Sequence, residues 1–330
     1  MPTIGDVAAR ANVSTATVSR ALNGKSTVDP ELAKRVRTAA EELGYRPHGP
    51  ARNLRRKTTA TLTLVVTDIG DPFFAALARG LEDTARDRGY SLVLCDTDDD
   101  PAKERSYLDV ALQERVAGVV IAPTSAATDV ATLLDQGAIV VAVDRPLDEP
   151  RSDRVLVDTR AAAAKATTQL IDAGYRRIGF LGCRPDGYPD QQRLAGYQDA
   201  LGQAADEHLV RHAAPHADAA TSAVRDLLAP PASADALLIA SPQLAPDALG
   251  AVTEHGLSLG TEFGVVAFDV TAWATALRPA LSVVSQPAYE IGAAAGRHIV
   301  ARLAGETSTP KHTELSPEFV VRGSSLRDQG

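Results

Sequence analysis

The chain has 330 residues, 45% hydrophobic and 23% charged, with two cysteines and a formal net charge of −8, a length that suggests about two or three folding units. No apolar run reaches the roughly 18 residues a membrane helix needs, and the start, MPTIGDVAAR, lacks the apolar core of a signal peptide. Cys95 and Cys183 are too few for a disulfide framework and lack metal-ligand spacing, so the expectation is a cytoplasmic protein with reduced thiols, no metal and no other cofactor.

Charge is unevenly spread. Residues 1–60 hold eleven Lys/Arg and five Asp/Glu, a balance of +6 that leaves −14 on the remainder. A basic head on an acidic body suits nucleic-acid binding, although a solvated basic face would look the same. In chain order, Thr3 is expected to cap a helix over 4–11, with Asp6 three residues on. Asn12 suits the left-handed turn that ends it. Ser14 caps a second helix over 15–22 that should bury Val18 and Leu22. Asp29-Pro30 opens a third, which stops at Gly44 and should bury Leu32, Val36, Ala39, Ala40 and Leu43. Two short helices around a three-residue turn have helix-turn-helix form. The second presents Thr15, Ala16, Thr17, Ser19 and Arg20. Small side chains let a helix approach the floor of the major groove, and Arg pairs in bidentate fashion with guanine O6 and N7. A generic helical hairpin with a solvated Arg is the plain alternative.

The string TIGDVAARANVSTATVSRALNGKSTVDPELAKRVRTAAEELGYRPHGPARNLRRKTT resembles the lactose-repressor (LacI/GalR) family of bacterial regulators, most clearly at DVA-x-x-A-x-VS-x-x-TVSR-x-LN and LGY-x-P. That resemblance implies base contacts from Thr15, Ala16 and Arg20, and phosphate contacts from Thr3, Ser14, Thr17 and Asn23. Many relatives have larger side chains at the first two positions. Residues 50–56 resemble the family's hinge helix, with Ala51 and Leu54 at minor-groove positions and Leu54 as the wedge at the operator centre. Seven residues are too few for an isolated helix, so this one should form only when two copies meet on DNA.

Beyond residue 61, apolar strands over 62–66, 92–95, 119–122 and 139–143 alternate with helices over 73–88, 102–114 and 129–135. After about 159 the pattern restarts, with strands near 177–181, 208–212, 237–240, 264–268 and 281–284. Such alternation predicts two doubly wound parallel-sheet lobes, an α/β body behind an all-α head. The expected limits are 1–48 for the head, 49–60 for the hinge and 61–330 for the body. Within the body, 61–158 plus 287–310 should form one lobe, and 159–286 plus the C-terminal segment the other. The segments DPFFAALARGLEDTARDRGYSLVLCDTD, VVAVDRP, RLAGYQDAL and VVAFD are similar to the same family, whose effector domain resembles periplasmic sugar-binding proteins. By that likeness Asp68, Phe73, Asp144, Arg145, Arg193, Ser241, Asp269 and Trp273 should meet a small-molecule effector of the sugar class, with Phe74 either there or in the core. Ser241-Pro242-Gln243 stands where relatives carry Asn or Asp, which points to an altered effector or weakened binding.

The expected protein is a homodimeric repressor acting on a near-palindromic operator, with no membrane partner; the C-terminal segment has no leucine heptads that would favour a tetramer. A sugar-binding transport component and a doubly wound enzyme are the alternatives. The basic head opposes the first. The absence of G-x-G-x-x-G, G-x-x-x-x-G-K-[ST] and H-E-x-x-H opposes the second. His208, His212 and His216 recur every fourth residue. On a strand four residues span about 13 Å, too far for shared metal coordination.

Overall fold

The computed structural model describes residues 2–22, 28–45, 59–215, 218–270 and 273–327. It separates into two compact units, Met1–Thr59 and Ala60–Gly330.

The first unit holds α1 (Ile4–Ala11), α2 (Thr15–Leu22) and α3 (Pro30–Glu42). Thr3 and Asp6 form a reciprocal capping box: the Thr3 amide donates to the Asp6 carboxylate at 2.7 Å, and the Asp6 amide to Thr3 Oγ1 at 3.3 Å. Asn12 ends α1 at φ 49°. Ser14 Oγ accepts from the Thr17 amide at 3.1 Å, and Asp29 caps α3 ahead of Pro30. Val7, Ala8, Ala11, Val18, Ala21, Val36, Ala39 and Ala40 form the core. In α2 the second buried position is Ala21, with Leu22 only partly covered, and Leu32 of α3 and Leu43 just after it are also only partly covered. Small residues draw the helices close, so the larger leucines lie at the rim. Arg35 donates to the carbonyl of Ala11 at 2.7 Å, tying α3 to the end of α1.

The second unit contains two six-stranded sheets. The N-lobe starts with β1 (Thr61–Val66), α4 (Pro72–Arg86), β2 (Ser91–Asp96), α5 (Pro101–Gln113), β3 (Gly118–Ile121), α6 (Ala131–Asp135), β4 (Ile139–Val143) and β5 (Asp153–Val157). The C-lobe follows with α7 (Thr159–Asp172), β6 (Ile178–Gly182), α8 (Tyr188–Leu201), β7 (Val210–His212), α9 (Ala219–Leu228), β8 (Ala236–Ile239), α10 (Ala245–Glu254), β9 (Gly264–Phe268) and β10 (Ser282–Ser285). The chain then returns to the N-lobe for α11 (Ala288–Leu303) and β11 (His312–Leu315), and ends in the C-lobe with β12 (Glu318–Val320). Strand orders are β11-β5-β4-β3-β1-β2 and β12-β10-β9-β8-β6-β7, parallel except for β12 on β10.

Three differences from the sequence reading matter. Strands β5, β11 and β12 were not expected. Because β11 pairs with β5, the N-lobe's return segment runs to 315 rather than 310. The segment expected as a strand over 208–212 begins as a 3-10 turn, Glu207–Leu209, whose first amides Asp206 caps, and only Val210–His212 pairs with β6. His216 lies outside the described residues. No helix of the described residues is long and apolar enough to cross a membrane.

In each lobe, among the described residues, glycines let a helix pair approach backbone to backbone. A Cβ on Gly292 of α11 would lie 1.9 Å from the Leu77 carbonyl oxygen of α4, and one on Gly80 would lie 2.0 Å from that of Tyr289. Gly196 of α8 meets the Arg160 carbonyl of α7 in the same way, at 2.0 Å. A methyl group there must push two backbones apart. Gly292→Ala is therefore expected to destabilise the second unit by about 3 kcal/mol, read as a lower urea midpoint at unchanged slope; an unmoved midpoint would mean that the helices separate without cost.

Candidate functional site

Two surfaces carry the chemistry singled out in the sequence. In the first unit, Val18 and Ala21 bury one side of α2, which leaves Thr15, Ala16 and Arg20 exposed on the other. Ser14 and Thr3 are exposed at the starts of α2 and α1, with Thr17 half-buried. The hydroxyls of Ser14 and Thr17 lie 2.9 Å apart, and Thr3 Oγ1 donates to Asp6 at 2.8 Å. Hydrogen bonds from Thr3 hold the Asp6 carboxyl below the usual carboxylate range. Both helix starts offer amides to an anion, but at α1 the Asp6 carboxylate already occupies that position. Asn23, Ala51 and Leu54 lie outside the described residues.

In the second unit a cleft of about 530 Å³ opens between the lobes, within the range of small-ligand sites. Its walls come from the carboxyl ends of the strands, where open parallel sheets bind ligands. From the N-lobe, Asp68 follows β1, Asp98 and Asp99 follow β2, and Asp144 and Arg145 follow β4; from the C-lobe, Cys183 and Arg184 follow β6, Ser241 and Gln243 follow β8, and Asp269 follows β9. Asp144 and Asp269 both take left-handed backbone, with φ 61° and 56°. Asp tolerates that conformation better than most residues, and strain of this kind gathers at functional sites.

At the centre lies Arg193 of α8, 6% exposed. Its Nη1 donates to the Ala240 carbonyl at 2.6 Å, its guanidinium stacks 4.6 Å from the centroid of Phe268, and its Nη2 stands 3.7 Å from Asp269 Oδ2. One turn earlier, buried Asp190 accepts from the amides of Cys183 and Arg184, both at 2.6 Å, and from Ser241 Oγ at 3.0 Å. Asp269 accepts from the Gln286 amide and side chain at 2.9 and 2.7 Å. Arg145 reaches Asp99 at 2.8 Å, and Arg184 of the opposite lobe pairs with the same carboxylate. Gln243 also spans the lobes, 3.5 Å from Asp68 and 3.4 Å from Asp71. Phe73 and Phe74 meet edge to face at 5.1 Å and line the wall while packing into the N-lobe core.

Comparison with known proteins settles the family. Residues 3–48 match the model of the bacterial regulatory proteins of the lacI family, and 167–325 match a periplasmic binding protein-like domain. The ribose operon repressor of Halalkalibacterium halodurans is 33% identical over 98% of this chain and 96% of its own length. The chain belongs to the LacI family. The solved complex of the transcriptional regulator CelR with cellobiose has 29% identity and a TM-score of 0.73, covering 98% of this chain and all of that one. The lac repressor dimer bound to operator and the anti-inducer ONPF shares the fold at a TM-score of 0.87 and 22% identity, over 98% and 99% of the two chains. This LacI-family chain is accordingly a DNA-binding transcriptional regulator.

The LacI-family cleft brings together seven of the eight residues expected to meet the effector: Asp68, Phe73, Asp144, Arg145, Arg193, Ser241 and Asp269. Trp273 is a correction. It packs, partly buried, against the C-lobe core and does not line the cleft among the described residues: the core takes up the apolar ring. Ser241 lines the cleft, but its hydroxyl is committed to Asp190. Asp71, Asp99, Arg184, Asp190, Gln243 and Gln286 were missed. Asp190 was within reach of sequence reasoning, since it lies three residues before Arg193 on the same helical face.

Burial raises the Asp71 carboxyl to about 6, helped by Asp269, Asp68 and Asp144 and opposed by the hydrogen bond from the Phe73 amide. Burial and Asp190 push the Cys183 thiol up to about 11, which leaves it unreactive. A carboxyl raised by folding contributes stability that is complete below its unfolded value, near 4, and is lost as pH rises through about 6. Asp71→Asn keeps the cap on α4 and removes that loss. The variant is expected to match the wild type near pH 4 and to be more stable by roughly 1–2 kcal/mol above pH 7, after allowance for partial exposure. Equal urea midpoints at both pH values would contradict the shift.

Proposed function

We propose that this regulator is a cytoplasmic repressor that binds a near-palindromic operator as a homodimer and responds to a hydroxyl-bearing small molecule held in the interlobe cleft. In the DNA complex Thr15, Ala16 and Arg20 read base edges, Thr3, Ser14, Thr17 and Asn23 contact phosphates, and Ala51 and Leu54 enter the minor groove at the operator centre. The effector meets Asp68, Phe73, Asp144, Arg145, Arg193, Ser241 and Asp269. The observation that carries this reading is the convergence of Arg193, Asp144 and Asp269 on one cleft in a chain whose head exposes a small-residue helix face ending in Arg20. Bidentate donors and carboxylate acceptors on one apolar-backed wall suit hydroxyl groups. The names of the relatives agree with it: a ribose operon repressor, and a regulator solved with cellobiose.

Arg184 and Gln243 reach across the cleft to Asp99, Asp68 and Asp71. A ligand that competes for these groups alters how the lobes close. Passed to the head, such a change corresponds to a coupling of about 1–3 kcal/mol. Selection of bound duplexes from a random pool by the full-length protein tests the proposal. It should enrich a site with two-fold symmetry, and recovery of only unrelated sequences would refute it.

A further inference from the structure

We propose that Arg184 and Asp99 form a latch across one side of the cleft: their ion pair restrains the two lobes and must break before the cleft opens there to exchange its ligand. The consequence for ligand exchange rests on the reading of the cleft as the effector site. The latch itself is tested without an effector, so the two can fail separately.

The position of the pair carries the inference. Among the described residues it is the one ion pair that joins the lobes, beside the two longer contacts of Gln243. Asp99, Arg145, Arg184 and Gly187 line the cleft, and the same four residues line a second cavity of about 380 Å³. The bridge is therefore the partition between two cavities. Beyond it the walls include Thr124 and Ser125 of the N-lobe and Tyr188 and Gln191 of the C-lobe. Hydroxyl and amide groups of this kind suit the passage of a hydroxyl-bearing molecule.

The bridge is also built to be made and broken. Asp99 is fixed by its own lobe: Arg145 donates to both carboxylate oxygens, at 2.8 and 3.4 Å, and the Asp99 amide donates to Thr97 Oγ1 at 3.1 Å. When the lobes part, Asp99 keeps that counter-charge. It is not left buried and unpaired, the outcome that makes most shielded pairs costly to break. Arg184, with its side chain 46% exposed, returns to water. Opening then costs about one partly screened pair. The base of the latch meets the ligand wall. The Arg184 amide donates to Asp190, which also accepts from Ser241 and lies 3.9 Å from Arg193. A ligand that draws on Ser241 or Arg193 thus acts on the carboxylate that holds the Arg184 backbone.

Cys183, next to Arg184 and half-buried on the cleft wall, reports opening. The full-length protein is alkylated with iodoacetamide, an uncharged reagent, at about pH 9, where some thiolate forms. Both cysteines are followed by peptide mass spectrometry, with Cys95, which is not among the cleft-lining residues, as the reference. Wild type is compared with Arg184→Gln, Asp99→Asn and the double variant; Asn tolerates the left-handed backbone of residue 99, at φ 57°. Each single variant should label Cys183 about two- to five-fold faster, and the double variant no faster than the singles, with Cys95 unchanged. Charge acting on the thiol alone gives another pattern. Arg184 pulls the Cys183 thiol down and Asp99 pushes it up, so their removal would shift its reactivity in opposite directions. A single variant that fails to quicken Cys183, effects that multiply in the double variant, or equal quickening of Cys95 would each overturn the latch and leave the effector cleft standing.

Discussion

Arg20→Ala should abolish discrimination between the selected operator and a scrambled duplex, while weak, salt-dependent DNA binding persists. Arg20 is exposed, whereas the core of the first unit is built from Val18, Ala21 and residues of the other two helices. Removing its side chain therefore leaves the packing intact. One bidentate contact to guanine is worth about 1–3 kcal/mol, and a two-fold symmetric complex loses two, so the specificity ratio should fall by roughly thirty-fold to ten-thousand-fold. The sequence-independent part comes from neutralised phosphates, each contributing about −0.9 to the log–log salt slope, and should change little. Fluorescence anisotropy on both duplexes at several salt concentrations, with circular dichroism to confirm folding, measures this. A folded variant with unaltered discrimination would remove Arg20 from the reading face.

The second large effect is expected for Arg193→Ala. The guanidinium is buried, stacked on Phe268, bonded to the Ala240 carbonyl and close to two carboxylates, at 3.7 Å from Asp269 and 3.9 Å from Asp190. Taking away one partner of a buried ionic group typically costs about 3–5 kcal/mol, because the remaining charges stay buried without compensation. The second unit should lose stability of that order, and ligand response should vanish in the protein that remains folded. Arg193→Lys separates the two consequences. It keeps the charge but loses the planar fork and the stacking, so stability should recover in part while ligand affinity stays low. Urea denaturation followed by ligand titration reads both. Full ligand response in either variant would show that Arg193 only braces the wall.

Much of this architecture is legible in the chain itself. The strands GVVI, IVVAV, IGFLG, ALLI and GVVAF are unbroken apolar runs, the mark of strands covered on both faces. Asp29-Pro30 and the Thr3–Asp6 pair announce their helices through capping chemistry alone. Strands β11 and β12 escape notice because HTEL and EFV are short edge strands with polar faces, and β5 because DRVLV opens with two charged residues. Where strand ends are recognised, the residues just beyond several of them, Asp68, Asp144 and Asp269, lie on the cleft wall, since the parallel topology carries these ends to the cleft. Trp273 was misplaced because the path of a loop several residues past a strand depends on packing that no period encodes. Asp71 and Asp99 carry no distinguishing local signal, one standing ahead of a helix-opening proline and the other in an Asp-rich loop. Their contacts come from the opposing lobe, through Gln243 and Arg184, which local sequence cannot supply.

Whether α2 reads the major groove can be measured on the wild-type protein with base analogues. Each guanine of the selected half-site is replaced in turn by 7-deazaguanine, which removes the N7 acceptor and leaves pairing and the minor-groove edge unchanged. At one position the affinity should fall about ten-fold or more, and Arg20→Ala should be insensitive to the same replacement. Undiminished binding to every substituted duplex would contradict a major-groove contact from Arg20.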